Sequence, residues 1–326
     1  MIGTMSRLFR FLRGLAASAL LGLVLIGTGG WLYFALAGPE PQVWHRAALK
    51  QEFTAGQADE VTTLADYRAL EDRLFQELRE KVYAKVVPGN LAPFNRYAIG
   101  SRSDPGTWPV NWNRTFELGP EPAAAAVLLL HGLTDSPYSL RSIGEHLAAR
   151  GLRVVGLRLP GHGTAPSGLL SFEFEDMQAA VRMAMRDLRR RLGPDVPIYM
   201  IGYSNGGALA VDYSLSLLEG EALPRPAGLV LLSPAIAVSK LAVVGRLRTG
   251  VSELPGFGRA AWQGITAEVD PYKYQSFSFH AAGETQRLTS RVDARLAKLA
   301  KQGPIPAFPP VLVFLSTVDA TVQAPA

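Results

Sequence analysis

The stretch Gly202-Tyr203-Ser204-Asn205-Gly206 sets a serine between two glycines. Ile198-Tyr199-Met200-Ile201 runs into it as a short apolar strand, and Ala208-Leu209-Ala210-Val211 continues from it as a helix. A serine at so sharp a strand-to-helix turn has a strained backbone that lifts its hydroxyl out of the sheet. A Cβ at Gly202 or Gly206 would collide with the neighbouring strand or helix. The helix N-terminus adds free N–H groups and a dipole that favours developing negative charge. These residue types point to nucleophilic attack on a carbonyl carbon. The plainer alternative is a glycine-rich connection with a bystander serine. A second informative loop upstream favours the nucleophile.

That loop is His131-Gly132-Leu133-Thr134-Asp135, directly after the apolar run Val127–Leu130. Acyl transfer through a serine needs a base, a carboxylate that orients the base, and two N–H donors for the oxyanion. Ser204 is the nucleophile in this reading. The backbone N–H of Asn205 is one donor. The backbone N–H of Leu133 is the other, turned toward the pocket by Gly132. His131 orders the loop rather than taking a proton.

The elements that must position these groups are legible from residue 123 onward. Apolar strands at Val127–Leu130, Val154–Leu157, Ile198–Ile201, Leu229–Leu232 and Val311–Leu315 alternate with helical patterns at Tyr138–Arg150 and Phe174–Leu192. Uninterrupted apolar strands separated by helices predict a mostly parallel, doubly wound α/β sheet covered on both faces. Active sites in such sheets lie beyond the carboxyl ends of the strands. The loops Pro160-Gly161-His162-Gly163-Thr164 and Ser316-Thr317-Val318-Asp319 should reach that same edge. Residues 234–309 are long for a connection and hold Trp262, Tyr272, Tyr274, Phe277, Phe279 and Phe308. We expect a helical lid there, whose aromatics suit either an apolar substrate or ordinary packing.

His131-Gly132-Leu133-Thr134, the Gly161-His162-Gly163 loop, Gly202-Tyr203-Ser204-Asn205-Gly206-Gly207 and the strand leading to Asp319 together resemble the α/β-hydrolase superfamily. Within it they are most similar to the lysophospholipase, monoacylglycerol lipase and carboxylesterase branch, also called serine aminopeptidase-like hydrolases. The resemblance covers roughly residues 123–326. It implies a serine ester hydrolase acting on a small-molecule or lipid ester, with Ser204 as nucleophile, Asp319 as triad acid, and Leu133 and Asn205 as oxyanion hole. An aminopeptidase, a thioesterase or a non-catalytic binding domain remain alternatives on the same fold.

In that family the catalytic histidine follows the acid after one more strand. No histidine follows Asp319 here; the five are His45, His131, His146, His162 and His280. Of these, His280 in the lid is the unassigned one with a route to Ser204. The expectation is therefore a chain that stops before its last strand, last helix and base. Such a chain would turn over slowly and leave Val311–Leu315 as an exposed apolar edge.

Composition narrows the class. The net charge is +5, but Arg7, Arg10 and Arg13 supply three of those charges, and the remainder carries 30 basic against 28 acidic residues. That is no footprint for nucleic acid. The absence of cysteine excludes disulfides, thiolate metal sites and cysteine catalysis. No metal-ligand spacing and no nucleotide-binding motif appear, so no metal or cofactor is expected.

Residues 14–39 carry no charge, and Leu15 to Leu36 as a helix would span about 33 Å, close to the hydrocarbon thickness of a bilayer. The arginines before it predict a cytoplasmic N-terminus and a body on the extracytoplasmic side. A cleavable signal segment, with Ala35-Leu36-Ala37 as cleavage site, is the rival. The expected organisation is a basic terminus at 1–13, an anchor at 14–37, and a linker, amphipathic helix and edge strands at 38–122. The hydrolase core follows at 123–233, the lid at 234–309, and the strand with the triad acid at 310–326.

Overall fold

In the computed structural model the described residues are 2–36, 39–87, 92–236, 258–301, 303 and 307–315. The organising element is a six-stranded sheet of order β1-β3-β2-β4-β5-β8. Its strands are β1 (Phe116–Leu118), β2 (Ala126–Leu130), β3 (Arg153–Leu157), β4 (Ile198–Tyr203), β5 (Gly228–Leu232) and β8 (Val311–Phe314). Only β1 runs antiparallel, pairing Glu117 with Val155 at the edge. A short hairpin of β6 (Trp262–Gly264) and β7 (Phe277–Ser278) stands separately.

Register decides where the loops emerge. Leu130 is opposite both Leu157 and Gly202, and Tyr203 is opposite Leu232. The carboxyl ends of β2, β3, β4 and β5 are therefore level. The loops after them leave along one edge.

Both faces are covered, as the apolar strands require. Helix α4 (Arg141–Ala148) closes one face with Leu140, Ile143 and Leu147 against Val127, Leu129 and Val154. On the other, α5 (Phe174–Leu192) and α6 (Asn205–Leu218) bury Met177, Val181, Leu188, Leu209 and Val211 against Leu128, Leu130 and Met200. Helix α7 (Phe279–Ala300) joins that same face through Leu288 and Val292. Arg295 locks it to α6, donating to the Asp212 carbonyl at 3.2 Å and to Glu219 Oε1 at 2.9 Å. The described part of 234–309 thus supplies a hairpin and a crossover helix that covers the sheet. Residues 237–257, where a lid would also have to lie, are outside the described residues.

The N-terminal segment is built into this body. Helix α2 (Val43–Arg46) is short. Helix α3 (Leu64–Lys81) starts at Thr63, whose hydroxyl accepts from Asp66 N while the Asp66 carboxylate returns the bond. Its Leu64, Tyr67 and Leu70 enter the main core. Helix α1 (Ile2–Leu36) differs: Phe11–Tyr33 is long and apolar enough to cross a membrane, and no residue of that stretch is buried. β8 is also exposed, with Phe314 at 55% and Leu312 at 54%.

The tie between the N-terminal segment and the sheet is Arg158, which is fully buried just past β3. Its Nη2 and Nη1 donate to the two Glu52 oxygens at 2.8 and 3.0 Å, and its Nε to Glu71 Oε1 at 2.9 Å. Glu71 also accepts from the Thr115 hydroxyl at 2.7 Å, and Tyr67 Oη donates to the Arg158 carbonyl at 2.8 Å. Burial opposes the charge on Arg158, but the two carboxylates outweigh it and hold the guanidinium ionised. Nη1 also reaches the His162 carbonyl at 3.0 Å, and Gly161 N donates to Glu52 at 2.9 Å. The loop after β3 is thereby clamped from the N-terminal side.

Replacing Arg158 by Met strands two carboxylates in the interior and should lower unfolding free energy by about 3–5 kcal/mol in urea titrations. A loss below about 1 kcal/mol would show that the clamp carries little. Acid should also destabilise the fold. His45 and His162 are both lowered to about 4 from 6.5, mainly by burial, with Arg46 adding to the effect at His45. A ring whose folded pKa is depressed contributes its full stability above about pH 6.5 and loses it as pH falls toward 4. Each ring should cost about 1.4 kcal/mol per pH unit in that window. Urea midpoints that stay flat between neutral pH and pH 4.5 would contradict this.

Candidate active site

Ser204 stands between β4 and α6 with φ 51° and ψ −114°. A non-glycine residue there carries strain of about 1–3 kcal/mol, so neighbours must hold it. Ser204 N donates to the Leu232 carbonyl at 2.9 Å, at the end of β5. Its own carbonyl accepts from Gly207 N and Ala235 N, both at 3.0 Å. The turn is possible because its flanks lack side chains. A Cβ on Gly202 would lie 2.4 Å from the Gly206 carbonyl oxygen, and one on Gly206 would lie 2.1 Å from that of Leu130. Helix α6 therefore starts in backbone contact with both β2 and β4.

The loop after β2 lies against the serine. A Cβ on Gly132 would be 3.0 Å from Tyr203 Cε1 and 3.4 Å from Ser204 Cβ. Ser204 is partly exposed, while Asn205 beside it is fully buried. The backbone N–H groups of Leu133 and Asn205 bond to no backbone carbonyl among the described residues. Asn205 Nδ2 rests 3.6 Å from Met177 Sδ. The sequence-derived residues Ser204, Gly202, Gly206, Asn205, Gly132 and Leu133 thus fall into one neighbourhood.

Three further residues belong to this edge. Thr134 and Ser233 have φ of 64° and 42°, so each of the loops after β2, β4 and β5 holds one strained non-glycine residue. Nothing in their residue type announces this, since threonine and serine are ordinary loop residues. Tyr274 is the third. Its backbone N donates to the Thr134 carbonyl at 2.8 Å, and its hydroxyl accepts from Thr164 N at 2.8 Å. It couples the loop after β2 to the loop after β3 from a segment distant in sequence.

The histidines are occupied elsewhere. His131 is buried; its Nε2 accepts from Leu159 N at 3.0 Å, so Nδ1 carries the proton and donates to the Gly132 carbonyl at 2.9 Å. Burial, with His162 nearby, holds it well below its ordinary pKa and neutral. The His131 and His162 rings are 5.3 Å apart. His162 Nδ1 donates to the Pro160 carbonyl at 2.8 Å, and its Nε2 is buried without a partner among the described residues. His45 bonds Ser276 Oγ at 2.9 Å, His280 Nε2 donates to the Phe172 carbonyl at 2.7 Å, and His146 is exposed on α4. None of the five is hydrogen-bonded to Ser204 among the described residues.

Glu173, His280 and Glu284 bring their ligand atoms within 4.8 Å of one another. Arg287 already bridges the two carboxylates at 2.7 Å each, which opposes a second cation there. Asp319 lies outside the described residues.

The comparisons with known proteins agree with this architecture. The family model described as Hydrolase_4, serine aminopeptidase, S33, matches residues 121–324. A thermostable monoacylglycerol lipase from Bacillus sp. (strain H-257) is 28% identical over 203 residues, covering 62% of this chain and 73% of that protein. Among solved structures, one from work on the metagenome-derived lipolytic enzymes LipS and LipT superposes with a TM-score of 0.50 at 24% identity. It covers 66% of this chain and 80% of its own. A monoacylglycerol lipase from Paleococcus ferrophilus gives a TM-score of 0.46 at 19% identity, covering 64% and 79%. With a level sheet edge, a strained serine and a match across most of the core, this chain belongs to the serine aminopeptidase S33 family and has the α/β-hydrolase fold.

Proposed function

We propose that the protein is a serine hydrolase that cleaves carboxylic esters of lipid-like substrates, of the monoacylglycerol lipase, lysophospholipase or carboxylesterase kind. The observation that carries this reading is the strained Ser204 turn lying against Gly132, next to unbonded N–H groups at Leu133 and Asn205. The 28% identity to a monoacylglycerol lipase supports the ester and its lipid character. Ser204 Oγ attacks the ester carbonyl, and the carbonyl oxygen becomes an oxyanion held by the N–H groups of Leu133 and Asn205. Each such donor is worth about 10²–10³ in rate. Collapse expels the alcohol and leaves an acyl-serine, which water then hydrolyses.

The proton acceptor in this reading is a histidine oriented by Asp319, which lies within the matched stretch. Among the described residues the five histidine rings serve other bonds or face solvent, so none of them is assigned as the base. Helix α1 is the membrane anchor, and the body lies on the extracytoplasmic side. No cofactor takes part.

Ser204→Ala should abolish labelling by a fluorophosphonate probe and cut ester turnover by about 10⁶ where a complete triad is present. Hydrolysis of aminoacyl amides in preference to p-nitrophenyl esters would move the assignment to an aminopeptidase. Absence of any labelling of Ser204 in the longest natural polypeptide would leave a binding domain. The two glycines should separate catalysis from folding. Gly132→Ala crowds Tyr203 and Ser204 by a few tenths of an ångström, so kcat should fall about 10–100-fold with stability nearly kept. Gly206→Ala drives a methyl group into the Leu130 carbonyl and should instead yield little soluble protein. Equal behaviour of the two variants would contradict the assigned roles.

A further inference from the structure

Beyond the family match, residues 79–87 and 92–114 share a face of unusual character. Its exposed charges are Arg79, Lys85 and Arg102 against Glu80, while Arg96 is buried and Lys81 and Arg114 are paired with Glu77 and Asp72. Two adjoining clefts of about 400 and 530 Å³ open there and share Tyr83 and Ile99. Their surroundings are apolar and exposed: Ile99 is 77% and Trp108 51% accessible, with Phe94 and Val110 close to half. Arg79 lines the larger cleft, and Arg102 lies 5.9 Å over the Phe94 ring. Both guanidinium groups are exposed, and neither has a carboxylate partner among the described residues.

The face is tethered close to α1. Trp44 stacks on Tyr97 at 5.3 Å, and Tyr97 meets Tyr83 edge-on at 5.6 Å. Trp44 is eight residues past Leu36, at most about 29 Å of extended chain. If α1 spans a bilayer, this face is held within reach of its surface. Exposed tryptophan and isoleucine beside exposed arginines that have no carboxylate partner among the described residues is the composition that favours a lipid interface.

We infer that this face docks on an anionic bilayer, with Ile99 and Trp108 entering the interface and Arg79 and Arg102 meeting lipid phosphates. The inference rests on the anchor reading of α1 and adds a second contact that orients the body on the membrane. Each arginine should favour the docked state about fivefold on an anionic surface.

The chain has no cysteine, so single-cysteine variants accept one spin label each. The full chain is placed in phosphatidylglycerol-rich lipid discs with labels at Ile99→Cys, Trp108→Cys, Leu23→Cys or Gly220→Cys. Docking predicts labels at 99 and 108 that oxygen reaches better than an aqueous nickel chelate, while 220 shows the reverse. The double variant Arg79→Gln, Arg102→Gln should return the first two toward water, as should pure phosphatidylcholine, with the urea unfolding midpoint unchanged. Labels at 99 and 108 that stay aqueous overturn the proposal, as do labels shielded from both reagents, which would mean a protein contact. An aqueous label at 23 with lipid-facing labels at 99 and 108 would sink the anchor and keep the docking face.

Discussion

The structure depends on one close approach between backbones. Helix α6 begins so near β2 and β4 that no side chain fits at Gly202 or Gly206. That contact forces Ser204 into positive φ, and its bonds to Leu232 and Ala235 hold it there. Strain of this kind persists only where the surroundings over-determine it. Here they do so through the level register of β2, β4 and β5, which presents the serine and the loop after β2 to the same space.

A second constraint comes from outside the family match. Residues 39–120 precede the matched stretch, yet they supply Glu52, Tyr67, Glu71 and Thr115 around the buried Arg158. A guanidinium in the interior is tolerable only when its donors meet carboxylates of good geometry. Meeting that requirement fastens the loop after β3, and with it His162 beside His131. Residues 39–87 and 92–120 are therefore joined to the hydrolase core through ion pairs at a buried arginine.

Much of the fold was legible in the residues. The strands at 126–130, 153–157, 198–203 and 228–232 follow apolar runs closely, because strands covered on both faces need not alternate in polarity; 311–314 follows one too, though it stands exposed. Helix α3 was readable from its spacing, but the pattern extended from Asp59 to Val87, whereas the helix itself runs Leu64–Lys81 from its cap at Thr63. The edge strand before Pro122 proved to be three residues, Phe116–Leu118, since a short edge carries little periodic signal. The long connection after β5 was harder. The sequence left its aromatics open between substrate contact and packing; among them Trp262 packs edge-on against His45 at 4.9 Å and Tyr272 stacks on Tyr138 at 3.8 Å. Spacing along the chain cannot tell an aromatic that lines a pocket from one that stacks on a distant partner.

From the sequence alone came the serine turn, the loop at 131–133, the parallel sheet and the apolar N-terminal helix. Each is a local pattern whose physics acts within a few residues: steric room at glycine, burial at apolar runs, helix length against bilayer thickness. Only the tertiary structure decided that Thr134 and Ser233 share the strain of Ser204, that Tyr274 couples two of the loops, and that Arg158 joins two carboxylates from the N-terminal segment. Those are contacts between residues as far apart as 274 and 164, or 158 and 52. Their partners are chosen by strand register and by the need to satisfy buried donors, and neither is written in any single stretch of chain.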